Sequence, residues 1–590
     1  MTSIKAPAVL ALGLTAIAFP QDQALAQASP QPTRSELEPP DIGEELEEAQ
    51  QPSDLQAPAT DNCPLRDSAL SVTISAVQFA QPDGTALDPQ IAETLAGVET
   101  VSGAQPVSVI CDIRDAANEA LRADGWVASI QIPPQEIQDG TVRLNVITAR
   151  IVEVRLRGDA GPYEKIVLDR AERLKQMVPL NERKAESLLL LAGDIPGLDI
   201  RLSLSPAGTE PGEVIGDLSV SYQSAAVLLN AQNYYARALG REVGYIRSEF
   251  YGLTGMGDIT YVGGSSTFDF EEQIISQIGH IATLDAGGTT LGARATFAES
   301  RPVLPGVEFR TETTILGFDL TRPLKRSLDS NLSLAFGFDY VNQSSTVTTL
   351  NATQPVPISE DALRIFYLRG AGDFRKVDKN GRTKWRVNGT LELRKGVDIF
   401  GATEFLEPSQ TSRARGAFTD GIPASRSDAR ADAFVVRAGV ESELFISSQF
   451  SLYNKFSGQW TDDPLLNYEE FSLGNLSAGR GYDPGSNNGD RAFAATTELR
   501  SLVPLPKSLS QKVQAQLFAF HDFVLLDNLD PTSLETNRNL ESVGGGVRLT
   551  LPGKARLEVS YVSPRDRALV IDQAPPTDRV LVSLTVRFGQ

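Results

Sequence analysis

The chain has 590 residues, and 54 Lys and Arg against 75 Asp and Glu give a formal charge of −21. That length implies roughly two to four domains, and the acidic balance argues against a nucleic-acid partner, whose phosphates need clustered cations. Outside the first 20 residues no apolar run is long enough to cross a bilayer as a helix, which leaves open the weaker, alternating signal of membrane strands.

The N-terminus reads as a secretory signal peptide over 1–26. Lys5 precedes an apolar run from Ala8 to Phe19, and Ala24-Leu25-Ala26 offers a small-x-small cleavage site, with Ala26-Gln27-Ala28 as a rival. Cys63 and Cys111, the only cysteines, then suit one disulfide in an oxidising compartment; two free buried thiols are the alternative. So few cysteines, with only His280 and His521 beside them, give no metal-ligand spacing. Residues 27–62 are rich in Pro, Gln, Glu and Asp and lack aromatics, the mark of a linker. Glu44–Ala49 is its one short helical candidate.

From 63 to 222 the chain reads as α/β. Leu70–Phe79 alternates as a strand. Asp88–Ala96 and Asp112–Ala123 read as helices, each opened by an aspartate suited to N-capping. After Gly125 come strands Trp126–Ile132 and Val142–Thr148, parted by Pro133-Pro134 and Asp139-Gly140 turns. The order then recurs: a strand over Arg150–Leu156, helices over Tyr163–Met177 and Glu182–Leu191, strands over Leu198–Ser205 and Val214–Tyr222. Two similar modules, 63–148 and 149–222, are expected.

Beyond 222 the period becomes two. In Asn331–Tyr340, Leu332, Leu334, Phe336, Phe338 and Tyr340 share one face, opposite Ser333, Gly337 and Asp339. Lys384–Arg394, Arg556–Val562 and Val580–Phe588 repeat the arrangement, the last with Val580, Val582, Leu584, Val586 and Phe588 outward. Arginines, lysines and glutamates on the other face suit a wet lumen better than the dry core of a β-sandwich. Residues 223–590, at roughly 20–25 residues per strand with its connections, give about sixteen strands. The fold class expected is therefore α+β domains followed by an all-β transmembrane barrel. Polar stretches 341–362, 399–431 and 463–490 read as outside loops, and Pro552-Gly553-Lys554 as a tight periplasmic turn. Within the last loop, Gly479 and Gly481 permit positive φ on both sides of Arg480, presenting a planar fork suited to a carboxylate.

Four motifs in this order resemble the two-partner secretion transporters (TpsB, the ShlB/FhaC/HecB haemolysin secretion/activation type), within the BamA-like outer-membrane superfamily. Gly125-Trp126, Pro133-Pro134-Gln135 and Asp139-Gly140 resemble the signature of its first POTRA domain, and Leu180–Leu190 with Ile195-Pro196-Gly197 that of the second. Tyr251-Gly252-Leu253 with Gly257-Asp258 resembles a segment near the second barrel strand. Arg480-Gly481-Tyr482 resembles the Val-Arg-Gly-Tyr tetrad, with Gly479 where valine is usual. The resemblance implies a carboxylate partner on a lumen-facing strand. Asp522 in Phe518-Ala-Phe520-His521-Asp522 matches the Phe-x-Phe-x-Asp motif, although Val524 stands where a glycine is expected. It also implies an N-terminal plug helix, for which Glu44–Ala49 is the candidate.

The protein implied by this resemblance is an outer-membrane translocator with periplasmic POTRA domains. It would take a large adhesin- or haemolysin-like exoprotein as unfolded substrate, sit in outer-membrane lipids and use no cofactor or metal. Sheet edges at Val142–Thr148 or Val214–Tyr222 are candidates for β-augmentation. An assembly factor of the BamA-like type is the alternative, but those relatives carry three or more POTRA modules and this chain has room for two. A passive porin needs no region like 64–222. No Gly-x-Ser-x-Gly elbow or P-loop occurs, so no enzyme is expected; His521 reads as a strand residue facing lipid headgroups or lumen.

Overall fold

The computed structural model describes residues 31–38 and 63–589, leaving aside 138, 209, 305, 350–353, 379–380, 407–415, 511, 531–534, 571 and 573. The signal segment, its cleavage sites and Glu44–Ala49 lie outside the described residues.

Two α/β units precede a barrel. In the first, strands Ala76–Ala80 and Ala128–Gln131 flank Thr141–Thr148, parallel on one side and antiparallel on the other. Helix Pro89–Ala96 is capped by the Asp88 carboxylate, which accepts from the Gln90 amide at 2.9 Å. Helix Val109–Ala123 begins at Ser108, not at Asp112 as the capping signal implied. Its buried row Ile110, Ile113, Ala117 and Leu121 starts before Asp112, and that apolar stripe sets where the helix begins. The single strand expected over Leu70–Phe79 divides at Ser75. Its first half, Ser71–Ile74, pairs with Gly103–Pro106, a strand that the sequence did not signal. Cys63 and Cys111 form a disulfide.

The second unit repeats the plan, with Arg150–Gly158 and Leu198–Pro206 flanking Glu213–Tyr222 and helices Glu164–Lys175 and Glu182–Gly193 packed on it. The strands expected as sheet edges are thus central in both units. Their amides and carbonyls are paired on both sides, so the true edges are their neighbours. The units are joined directly: the Val127 amide donates to Leu180 O at 3.1 Å and the Glu182 amide to Gly125 O at 2.7 Å.

Residues 225–588 form a closed barrel of sixteen antiparallel strands, with Arg579–Phe588 pairing to Ala225–Gln232 at the seam. Alternation decides which side chains face the bore. In Gln514–Asp527, Phe518, Phe520, Asp522 and Val524 are buried inward while Leu517, Ala519 and His521 point out. Most of the stretch expected as a loop over 341–362 is strand: Ser330–Thr349 and Val356–Val377 pair as far as Val347 with Val356, because its Val, Thr and Ile residues suit extended pairing. Part of 399–431 forms a small sheet of Glu404–Leu406, Gly416–Thr419 and Ile422–Pro423.

The second unit grips the barrel rim. The Tyr163 hydroxyl lies 3.1 Å from the carbonyls of both Pro196 and Asp258, and burial pushes this phenol up from its ordinary value. The Asp194 carboxylate takes the Arg326 fork at 2.6 and 2.8 Å. Gly197 has φ +78°, and a Cβ there would meet Gln223 O at 2.4 Å, so the corner requires glycine.

Candidate functional site

Loop 462–490 leaves the rim opposite the α/β units and folds back into the bore. Gly479 and Gly481 take φ of +87° and +93°, turning the chain so that Arg480 points at the wall. Its Nε and Nη2 donate to the two Asp522 oxygens at 2.9 and 2.7 Å, and its own amide donates to Asp522 at 3.0 Å. Nη1 reaches Glu498 at 2.7 Å. Asp522 and Glu498 are 1% and 2% exposed, so these charges are stabilised by their partners rather than by water. Phe518 and Phe520 stack at 6.2 Å, with Arg548 over the first and Arg480 over the second. Gly544 and Gly546 on the neighbouring strand make room: a Cβ would meet the Phe520 ring at 2.6 Å or the Phe518 ring at 2.8 Å. The Tyr482 hydroxyl donates to Glu541 O at 2.9 Å, and Asp483 takes Arg579 of the seam strand at 2.6 Å.

Nothing local in the sequence marks Glu498, yet Arg480, Arg500 and Arg548 all contact it. The signal that could have found it is register, since Glu498 lies directly across from Phe520. The pairs extend along the wall: Arg386 to Glu443 at 2.7 Å, Glu443 to Arg500 at 3.5 Å, Arg548 to Glu558 at 2.7 Å and Glu558 to Arg556 at 3.3 Å. On the far wall Arg394 binds Asp339, Glu392 and Glu469, the last belonging to the folded-in loop.

The N-terminal segment also occupies the lumen. Thr33 and Glu36 form a capping box around the single helical turn Arg34–Leu37. Gln31 Nε2 donates to Ser345 and Ser359 at 2.9 Å each, Asn467 donates to Gln31 at 2.9 Å, and Gln277 donates to Leu37 O at 3.2 Å. Leu37, 1% exposed, packs among Ile275, Ile315, Val341, Leu363 and Leu466. The structure therefore puts a helical turn in the bore at Arg34–Leu37, ahead of the Glu44–Ala49 candidate. The Thr33-x-x-Glu36 spacing was the readable sign of it.

The other motif residues lie outside the lumen. Gly125 has φ +80° at the joint between the units; a Cβ there would meet the Arg183 side chain at 2.9 Å. Gln135 brackets Arg143, accepting from its amide at 2.8 Å and donating to its carbonyl at 2.7 Å, while Pro134 sits in the preceding bend. Asp139 caps the turn through Gly140, and the Thr141 amide holds its carboxyl below the usual range. Pro196 and Gly197 form the corner against the barrel. His521 points outward and pairs with Glu541 at 3.2 Å, away from Asp522, and His280 meets Thr260 at 2.8 Å.

Comparison with known proteins agrees with this architecture. The family described as haemolysin secretion/activation protein ShlB/FhaC/HecB matches residues 220–548, more than half of the chain. The heme/hemopexin transporter protein HuxB of Haemophilus influenzae is 22% identical over 479 residues, covering 78% of each chain. Among solved structures, CdiB from Escherichia coli shares the fold with a TM-score of 0.67 at 16% identity, over 91% of this chain and 94% of that one. CdiB from Acinetobacter baumannii gives 0.59 at 14% identity, over 93% and 96%. The chain belongs to the ShlB/FhaC/HecB haemolysin secretion/activation family, the outer-membrane translocators of two-partner secretion.

Proposed function

We propose that units 63–148 and 149–222 are POTRA domains standing in the periplasm, and that they hand an unfolded, large adhesin- or haemolysin-like exoprotein to the barrel over 223–590. The observation that carries this reading is the content of the bore. It is occupied by two segments, 31–38 and 462–490, held to the wall by hydrogen bonds, ion pairs and small apolar clusters around Leu37 and Tyr482. The exposed edge strand Arg150–Gly158 offers unpaired backbone to an extended chain, which makes it the better candidate for β-augmentation than the central strands. Arg480 and Asp522 seat the loop against the wall, and folding of the cargo outside supplies the drive.

The test is comparative proteomics of medium and outer membrane in a strain lacking this gene. Loss of one very large exported protein with an intact membrane profile is the expected result. Depletion of many barrel proteins would instead make the chain an assembly factor.

A further inference from the structure

Arg480 anchors the tip of the folded-in loop, but a different arginine holds its two limbs. Arg426 lies on loop 397–433, outside every motif that resembles the family. Its Nη1 donates to Asp490 at 2.6 Å, to Leu465 O at 2.7 Å and to Glu470 at 2.9 Å. Its Nη2 donates to Asp490 at 3.1 Å and to Asn528 at 2.7 Å. Glu470 is on the limb entering the folded-in loop, Asp490 on the limb leaving it, and Asn528 on the next loop of the same rim. Asp490 is fully buried and also accepts from the amides of Leu465 and Leu529 at 2.7 Å each. One guanidinium–carboxylate pair thereby joins three successive rim loops.

Its position gives the pair a function. A cavity of about 500 Å³ lies beside it, lined by Gln31 of the N-terminal segment together with Arg426, Asn467, Asn488 and Asn528. Asn467, three residues before Glu470, is the residue that donates to Gln31. Arg426 thus lines the chamber that the N-terminal segment borders, and its pair with the buried Asp490 fixes it there.

We infer that Arg426 is an outer clasp: a positioning residue that, through Asp490, holds the rim loops over the N-terminal segment and sets how often the resting pore opens. Arginine suits the task because its fork engages both carboxylate oxygens and still reaches a third partner. The inference deepens the secretion reading and draws its biological meaning from it, but the pore's resting state is measurable without any exoprotein.

The experiment is single-channel recording of the purified full-length protein in planar bilayers, with heat-modifiable gel mobility checking that each barrel is folded. Arg426→Gln and Asp490→Asn are each expected to raise the opening frequency about tenfold or more, as loss of a charge-assisted pair implies. Arg426→Lys is expected to fall between parent and Arg426→Gln, and the double variant to open no more often than either single one. Should Arg426→Gln fail to fold, Asn528→Ala removes one arm while Asp490 stays paired, and a smaller rise is expected. A folded Arg426→Gln, or in its place Asn528→Ala, that opens no more often than the parent overturns the clasp, as do single effects that simply add. A clasp result with no cargo lost from the knockout medium would count against the secretion reading alone.

Discussion

The guanidinium carbon of Arg480 lies 3.4 Å from the centre of the Phe520 ring. The same strand, Gln514–Asp527, thus supplies an aromatic face and, two residues on, the carboxylate of Asp522. Planarity is used twice, for stacking and for the bidentate pair, so lysine is a poor substitute. Arg480→Ala is expected to leave Asp522 buried and short of a partner, costing on the order of 3–5 kcal/mol of loop seating. Secretion is expected to fall sharply in both Arg480→Ala and Arg480→Lys while barrel insertion, followed by heat-modifiable mobility, stays unchanged. Full secretion by either variant would remove the loop from its central role.

Gly479 stands where the resembling tetrad carries valine, and the backbone explains why valine does not fit this chain. With φ at +87° a Cβ would also come within 2.8 Å of Leu473 Cδ1. Gly479→Val is expected to cost roughly 1–3 kcal/mol of local strain, with Gly479→Ala milder. Protease nicking of loop 462–490 in the intact protein measures it, and an unaltered nicking rate for the valine variant would contradict the geometry.

Leu37 is the apolar contact of the lumen segment. Leu37→Ala is expected to weaken closure by about 2–5 kcal/mol, as for other buried leucines, and Leu37→Asp by more. Bilayer recordings should show longer openings, and cells should take up large antibiotics more readily. Parent-like conductance in both variants would mean that the segment does not close the pore.

The disulfide spans 48 residues of the first unit. Loop-closure entropy of that size is worth about 4 kcal/mol. Cys63→Ser with Cys111→Ser is expected to lower the melting temperature of the α/β region and expose it to trypsin, leaving barrel mobility unaltered. Equal trypsin resistance with and without the pair would show that the core around Ile110 and Leu121 suffices.

What was legible in the sequence was whatever local periodicity encodes. Period two along Asn331–Tyr340 identified wall strands, and the glycines around Arg480 marked a turn that presents its side chain. Register and sheet order are not local. Thr141–Thr148 reads the same at an edge or in the centre, and only its pairing on both sides, with Ala76–Ala80 and Ala128–Gln131, settles which. Glu498 needed the cross-strand match to Phe520. Polar composition over 341–362 suggested a loop because paired Thr and Ser rows look hydrophilic in one dimension. Arg426 resembled an ordinary loop arginine, since its partners come from chain positions as distant as Asn528.

From Arg386 to Arg556, Arg and Glu alternate along one wall of the bore. Four arginines share three glutamates along that wall, so every guanidinium has an anion beside it and most of the positive field is cancelled locally. Such a surface offers many shallow footholds and no deep trap, which suits transit of a long chain of varied composition.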